Sequence, residues 1–228
     1  MKITRRLSLT LFAVALFSMT LFSVAAATAA DDGADDGFVD IFNGKDLSGW
    51  ATDGKKTYKE GAEKKPVWTV KDGIIKCAGK NPLGFLRYDK QLSDFILRIE
   101  YRMSPKCNSG LGIRGTVFTG PRATRPSMAG YELQVLDDSG RKPTPRSSGS
   151  LYRYVAPKVN ASKPAGEWNT VEIDCRGPKI HITMNGQTLH DVDQSKIEAI
   201  KNKPLSGYFS VQNHGRVIEF RNVRLKEL

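Results

Sequence analysis

DFILRIEYRM, residues 94–103, carries the signal that decides the fold class. Phe95, Leu97, Ile99 and Tyr101 fall on one side of an extended chain, and Arg98, Glu100 and Arg102 on the other. That period of two is what a strand with one buried face requires. Residues 168–175 repeat it, with Val171, Ile173 and Cys175 against Thr170, Glu172 and Asp174. Ile180, Ile182 and Met184 continue the pattern up to Asn185-Gly186, a two-residue hairpin signal. Asp72-Gly73 between residues 68–70 and 74–76 reads as a second hairpin, and residues 208–211 and 217–225 read as a last pair turned at His214-Gly215. The one helix-compatible stretch is short, near residues 195–200, and the longest irregular stretch is 141–150. Short strands with regular turn signals over this length predict an all-β chain, a β-sandwich of about a dozen strands in two large antiparallel sheets.

Composition narrows the function classes. The chain has 228 residues, 35 Lys+Arg against 24 Asp+Glu, and only three Cys and three His. That excludes zinc-finger frameworks and disulfide-dense miniproteins. Basic residues such as Lys55, Lys64, Arg122, Arg141 and Arg146 are scattered rather than massed on one helix, so the charge reads as a solvated surface suited to anionic envelope or polysaccharide neighbours, and no nucleic-acid partner is expected. Residues 1–30 read as a secretory signal peptide: Lys2, Arg5 and Arg6, then an apolar run, then small residues. An uncleaved anchor is the alternative, since the run approaches the ~20 residues that span a bilayer; its Ser and Thr content and the Ala-x-Ala exit favour cleavage, which leaves no stable membrane insertion. No Cys precedes Cys77, which excludes a lipid-anchored Cys at the cleavage site. The expected organisation is a signal at 1–30, an acidic N-terminus at 31–37, and one domain at 38–228, periplasmic or secreted. In an oxidising compartment Cys77, Cys107 and Cys175 leave one disulfide with a free thiol, or three buried thiols, both open.

Strand parity suggests where chemistry could sit. In residues 131–136 Leu133 and Val135 point one way, and Glu132 and Gln134 the other. In 111–117 Leu111 and Ile113 are core-like, which sends Arg114 outward; in 209–214 Phe209 and Val211 are core-like, which sends Gln212 and His214 outward. If the three strands share a sheet, Glu132, Gln134, Arg114, Gln212 and His214 converge as an acid/base and oxyanion-stabilising set. The competing reading is a solvated outer sheet face. His181 and His190 read as surface residues flanking the Asn185-Gly186 turn, Trp50 and Trp68 as packing, and Asp137-Asp138 before Ser139-Gly140 as a turn more than a metal site. Phosphate-loop, HExxH, GxSxG and EF-hand patterns are absent from the sequence.

Several segments, in order, resemble a known bacterial family. DIFNGKDLSGW (40–50) is similar to its opening, followed by NSG (108–110), Arg114-Gly115, GYELQVLD (130–137), SGSLY (148–152), KPAGEWNT (163–170), Asn185-Gly186, QNHG (212–215) and EFRNV (219–223). The family, once a domain of unknown function, is named for 3-keto-disaccharide hydrolase or 3-keto-glucoside 1,2-lyase/hydratase activity, and the resemblance covers 38–228. It implies a concanavalin A-like jelly roll and a glycoside or oligosaccharide substrate oxidised at C3. A base then removes the C2 hydrogen, the C1 substituent leaves, and water adds back. The resemblance implies Glu132 or His214 as base and acid, Arg114 as enolate stabiliser, and Gln134, Asp137, Tyr152 and Gln212 as sugar contacts. A divalent metal at the enolate oxygens is also compatible, held by His214, Glu132 and Asp137. Two departures bear on substrate choice: the 110–114 segment carries a glycine where the family has a bulky residue, which would widen the groove, and Arg153 adds charge after Tyr152. The alternatives are a non-catalytic, lectin-like carbohydrate-binding module and a conventional glycosidase; the latter needs two catalytic carboxylates, and Gln134 stands where the second would be expected.

Overall fold

A computed structural model describes residues 37–228. The signal read at 1–30, and the acidic stretch up to residue 36, lie outside the described residues. Fifteen strands follow in order: β1 (Val39–Asp40), β2 (Trp50–Asp53), β3 (Thr57–Glu60), β4 (Glu63–Pro66), β5 (Trp68–Lys71), β6 (Ile74–Cys77), β7 (Gly84–Leu92), β8 (Phe95–Met103), β9 (Asn108–Gly115), β10 (Tyr131–Leu136), β11 (Trp168–Arg176), β12 (Lys179–Met184), β13 (Gln187–Asp193), β14 (Gly207–Asn213) and β15 (Ile218–Glu227). The large sheet runs β13-β12-β11-β8-β15-β6-β5 with β1 beside β15. The small sheet runs β10-β9-β14-β7-β2, and β3 and β4 form a separate hairpin. The pairings are antiparallel, and together the sheets form the concanavalin A-like jelly roll.

Both two-residue hairpins form where the turn residues allow them. Asn185 and Gly186 have φ of 51° and 78°, and Asp72 and Gly73 have 52° and 72°, the left-handed pair that matches the twist of flanking strands. The expected last hairpin does not form. β14 lies in the small sheet between β9 and β7, and β15 in the large sheet between β8 and β6, so His214-Gly215 begins a crossing between layers. Both strands alternate, but Phe209 and Val211 enter the core from one side, and Ile218 and Phe220 from the other. The helix-compatible stretch holds only a 3-10 turn, Gln194–Lys196, capped by Asp193. A four-residue helix that the pattern did not signal, α1 (Pro126–Ala129), starts with Pro in its first turn.

The two sheets differ in their outer faces. β8 and β11 alternate buried with exposed or half-buried positions. Their outward charges pair across strands, Arg98 with Glu172 at 2.8 Å and Arg102 with Glu219 at 2.6 Å, a solvated ladder of modest worth. β9, β10 and β14 are buried on nearly every residue, polar ones included. Burial of polar groups on both faces of a strand needs partners or a function, and that is where the candidate site lies.

Cys77, Cys107 and Cys175 are all buried and free, the second of the two arrangements the sequence left open. Burial pushes each thiol up to about 12. His190 is buried rather than on the surface, with Nε2 2.7 Å from the Gly149 carbonyl; the β12–β13 register turns it inward opposite Ile182. His181 stays half-exposed, 3.9 Å from Asp191.

Candidate active site

On the outer side of the small sheet a cavity of about 170 Å³ is lined by Glu132 and Gln134 of β10, Asn108 of β9, Gln212 of β14 and His214 beyond its end. Arg125, Ser127, Tyr152, Arg153 and Leu83 complete its walls. Leu133 and Val135 fill the core on the opposite face, so the alternation of β10 is what delivers Glu132 and Gln134 here. Two loops convert an open sheet face into a cavity. Residues 149–152 run alongside β10, with Gly149 N donating to Gln134 O, Gln134 N to Ser150 O, and Tyr152 N to Glu132 O at 2.8–3.0 Å. The short α1 brings in Ser127 and, just before it, Arg125.

The floor is shaped by missing side chains. A Cβ on Gly110 would lie 2.6 Å from Glu132 Cγ, and one on Gly112 would meet Ser210 Oγ and Pro126. The glycines in the 110–114 segment therefore make room for Glu132, Ser210 and Pro126 rather than leaving a wider groove.

Glu132 is 6% exposed, and burial raises its carboxyl to about 7, against the pull of the Ser127 hydroxyl, the Arg153 and Arg125 charges and the Gln212 amide. Gln212 Nε2 stands 3.5 Å from Glu132 Oε2. With its amide nitrogen toward Ser109 O and Glu132 Oε1, each 3.2 Å away, Gln134 donates to both. Two polar atoms at the cavity are buried with no protein partner, Gln212 Oε1 and Arg125 Nε. Arg153 is held at φ 75°, a strained conformation of the kind found at ligand sites, with its guanidinium 5.2 Å from the Tyr152 ring centroid.

Five of the seven residues singled out in the sequence, Glu132, Gln134, Tyr152, Gln212 and His214, line this one cavity. Arg114 does not join them. Between Ser210↔Gly112 and Tyr208↔Gly115 the β9–β14 register gains one residue, a bulge, and Arg114 sits in it at φ 52°. The bulge breaks the alternation on which its outward position rested. Its side chain is fully buried and donates to Ser93 O at 2.7 Å and Gly177 O at 2.8 Å, which pins the β7–β8 connection between the sheets and the β11–β12 turn of the large sheet. Asp137 is also outside the cavity lining; its Oδ2 accepts from Lys106 N at 2.7 Å, which ties the end of β10 to the turn before β9. Arg125, Ser127 and Asn108 were missed. The Arg125-Pro126 step was the only sequence signal, because Pro favours the first helical turn.

With Asp137 turned away, the metal ligands first considered, His214, Glu132 and Asp137, do not assemble. No group of three His, Cys, Asp or Glu is placed to hold a metal among the described residues. Two guanidinium groups beside a single carboxylate also disfavour a divalent cation. The residues do not fit a metal here, and no step below is routed through one.

Residues 37–226 match the family described as a 3-keto-alpha-glucoside-1,2-lyase-like domain. The chain belongs to that family. By that membership it is a carbohydrate-active enzyme of the hydrolase class. A Bacteroides thetaiotaomicron protein named 3-keto-disaccharide hydrolase is 27% identical over 235 residues, covering 85% of this chain and 79% of that one. A Parabacteroides distasonis crystal structure, provisionally named a glycosyl hydrolase, shares the fold at TM-score 0.67 and 24% identity, over 84% of this chain and 94% of that one. The exoplasmic/lumenal domain of VIP36, solved with Ca²⁺ and Man3GlcNAc bound, shares the fold more distantly, at TM-score 0.52 and 8% identity over 86% and 90%.

Proposed function

We propose that this chain cleaves glycosides whose sugar carries a ketone at C3, by elimination and rehydration. The observation that carries the reading is Glu132, the one carboxylate among the residues lining the cavity, buried and raised to about 7. A general base works best with a pKa near the operating pH. A conventional glycosidase needs a second carboxyl group roughly 5–10 Å away, and the cavity lining offers none. A C3 ketone acidifies the C2 hydrogen, so one base suffices. A purely lectin-like site has no use for a carboxylate whose burial destabilises its charged form.

The C2 proton passes to Glu132 and the electron pair moves onto the C3 oxygen. As the pair returns, C1=C2 forms and the C1–O bond breaks, and His214 at the exposed rim protonates the departing oxygen. Water then adds its hydroxide to C1 and a proton to C2, for net hydrolysis. Arg125, with a buried and unpartnered Nε, is the enolate donor in this scheme, the role Arg114 cannot fill. Gln134 and Gln212 hold sugar hydroxyls, and Tyr152 forms part of the wall. The cavity is smaller than the ~300–1,000 Å³ of sites for drug-sized ligands, which suits one sugar ring with its C1 substituent outside. The order of basic, apolar and small residues in 1–30 supports export to the periplasm or beyond.

The test is aglycone release from a 3-keto aryl-glucoside against its unoxidised parent. Release from the keto form alone, lowered about 10²–10⁴-fold in Glu132→Gln, is the expected result. Binding to glycans without product from any keto-glycoside would reassign the chain to a carbohydrate-binding module.

A further inference from the structure

Beside the active-site cavity lies a second depression of about 570 Å³, over the β3–β4 hairpin, whose lining includes Lys55, Lys59, Lys64, Lys80 and Asn81. In the hairpin and the two residues before it, Lys55, Lys56, Lys59, Lys64 and Lys65 outnumber Glu60 and Glu63. Both glutamates are engaged by Lys65, at 2.6 and 3.3 Å. Lys59 and Lys64 sit directly opposite each other across the hairpin, a like-charge pair that weakens the strand pairing unless an anion sits between them. Lys55, Lys59, Lys64 and Lys80 form no ion pair within 4 Å among the described residues.

The depression is joined to the active site through the backbone. Asn81 Nδ2 donates to Thr57 O at 2.7 Å, fastening the hairpin to residues 80–83. Asn213, between Gln212 and His214, donates to Lys80 O at 2.7 Å. Leu83 lines the catalytic cavity and Lys80 the lysine-lined one, three residues and at most about 11 Å of chain apart. Arg153, exposed, adds a further cation in the lining of the catalytic cavity.

From this we infer that the lysine-lined depression is a subsite for an acidic sugar unit, a uronate or sulfated residue attached through C1 of the ring that occupies the catalytic cavity. The substrate is thereby an acidic oligosaccharide rather than a neutral disaccharide. Carboxylate or sulfate oxygens between Lys59 and Lys64 relieve the like-charge pair, and the short chain distance lets one oligosaccharide reach both places.

The inference rests on the carbohydrate reading of the catalytic cavity. It is tested by calorimetric binding of cellotriose, the same trisaccharide oxidised at C6 to its uronate, and a sulfated cellotriose, all without a C3 ketone. Failure of the keto chemistry therefore leaves this readout intact, and failure here leaves the keto assay intact. At least one acidic form should bind about ten-fold tighter than cellotriose, the worth of two partly screened ion pairs. That preference should vanish in a Lys59→Gln/Lys64→Gln variant of unchanged circular dichroism and weaken steeply in about 0.5 M salt. Equal affinity for acidic and neutral forms, no binding of any, or an acidic preference untouched by the double substitution would overturn it. Equal or tighter binding of a single-stranded oligonucleotide or of anionic vesicles would also overturn it, since the surface would then be reading charge without sugar.

Discussion

Glu132 and Arg114 illustrate the residue scale from opposite sides. Both stand at polar positions of strands whose neighbours are apolar, and the sequence gives no reason to treat them differently. Glu132 keeps the strand alternation and reaches the cavity; Arg114 sits in a bulge and turns into the molecule. A bulge is set by pairing with another strand, which a local pattern does not encode. Replacing Arg114 by Ala leaves the Ser93 and Gly177 carbonyls without their donor, and should lower stability by about 3 kcal/mol, read as a fall in Tm by calorimetry. For Glu132 the pH dependence has a definite sign. Its folded pKa, about 7, lies above the 4.5 of a free glutamate. The group's contribution to stability is therefore present below about 4.5 and lost as pH rises through 7. The base form exists above that same pKa, so turnover of a keto-glucoside should climb as pH rises through 7. Glu132→Gln should reverse both behaviours, with a higher Tm than wild type above pH 7 and almost no turnover.

At the scale of elements, hairpins were legible and layers were not. Asp72-Gly73 and Asn185-Gly186 specify their turns through left-handed backbone, a local property. The assignment of β14 and β15 to different sheets depends on which faces meet across the core, and both strands alternate equally well. The site is likewise built between elements: β10 supplies Glu132 and Gln134, β14 leads to Gln212 and His214, and the irregular 149–152 segment and the unforeseen α1 close the walls. Strand parity therefore found Glu132, Gln134 and Gln212 but not Asn108 at the start of β9, while Arg125 and Ser127, carried on a turn too short to show periodicity, stayed hidden. Gly110 tests this construction. A Cβ there would lie 2.6 Å from Glu132 Cγ, so Gly110→Ala should push the carboxylate off its position and cut kcat/KM by about ten-fold or more. Because Glu132 is a flexible side chain, most of the fold's stability should remain, checked by parallel thermal melts.

For the whole molecule, composition and period fixed an all-β sandwich, and burial supplied what they could not. The large sheet exposes a charged ladder, while β9, β10 and β14 of the small sheet are buried on both faces. The three thiols follow from that burial: raised to about 12, they should resist a thiol reagent in the native protein and all react once it is unfolded in guanidinium. Rapid labelling of native protein would contradict their placement. The central claim, that one buried carboxylate works on C2 of a keto sugar, is tested most directly by turning over a 3-keto glucoside in D₂O and locating deuterium in the product by NMR. Elimination and rehydration should place solvent deuterium at C2, and Glu132→Gln should make neither product nor label. Product formed at the wild-type rate with C2 still carrying its original hydrogen would contradict the claim.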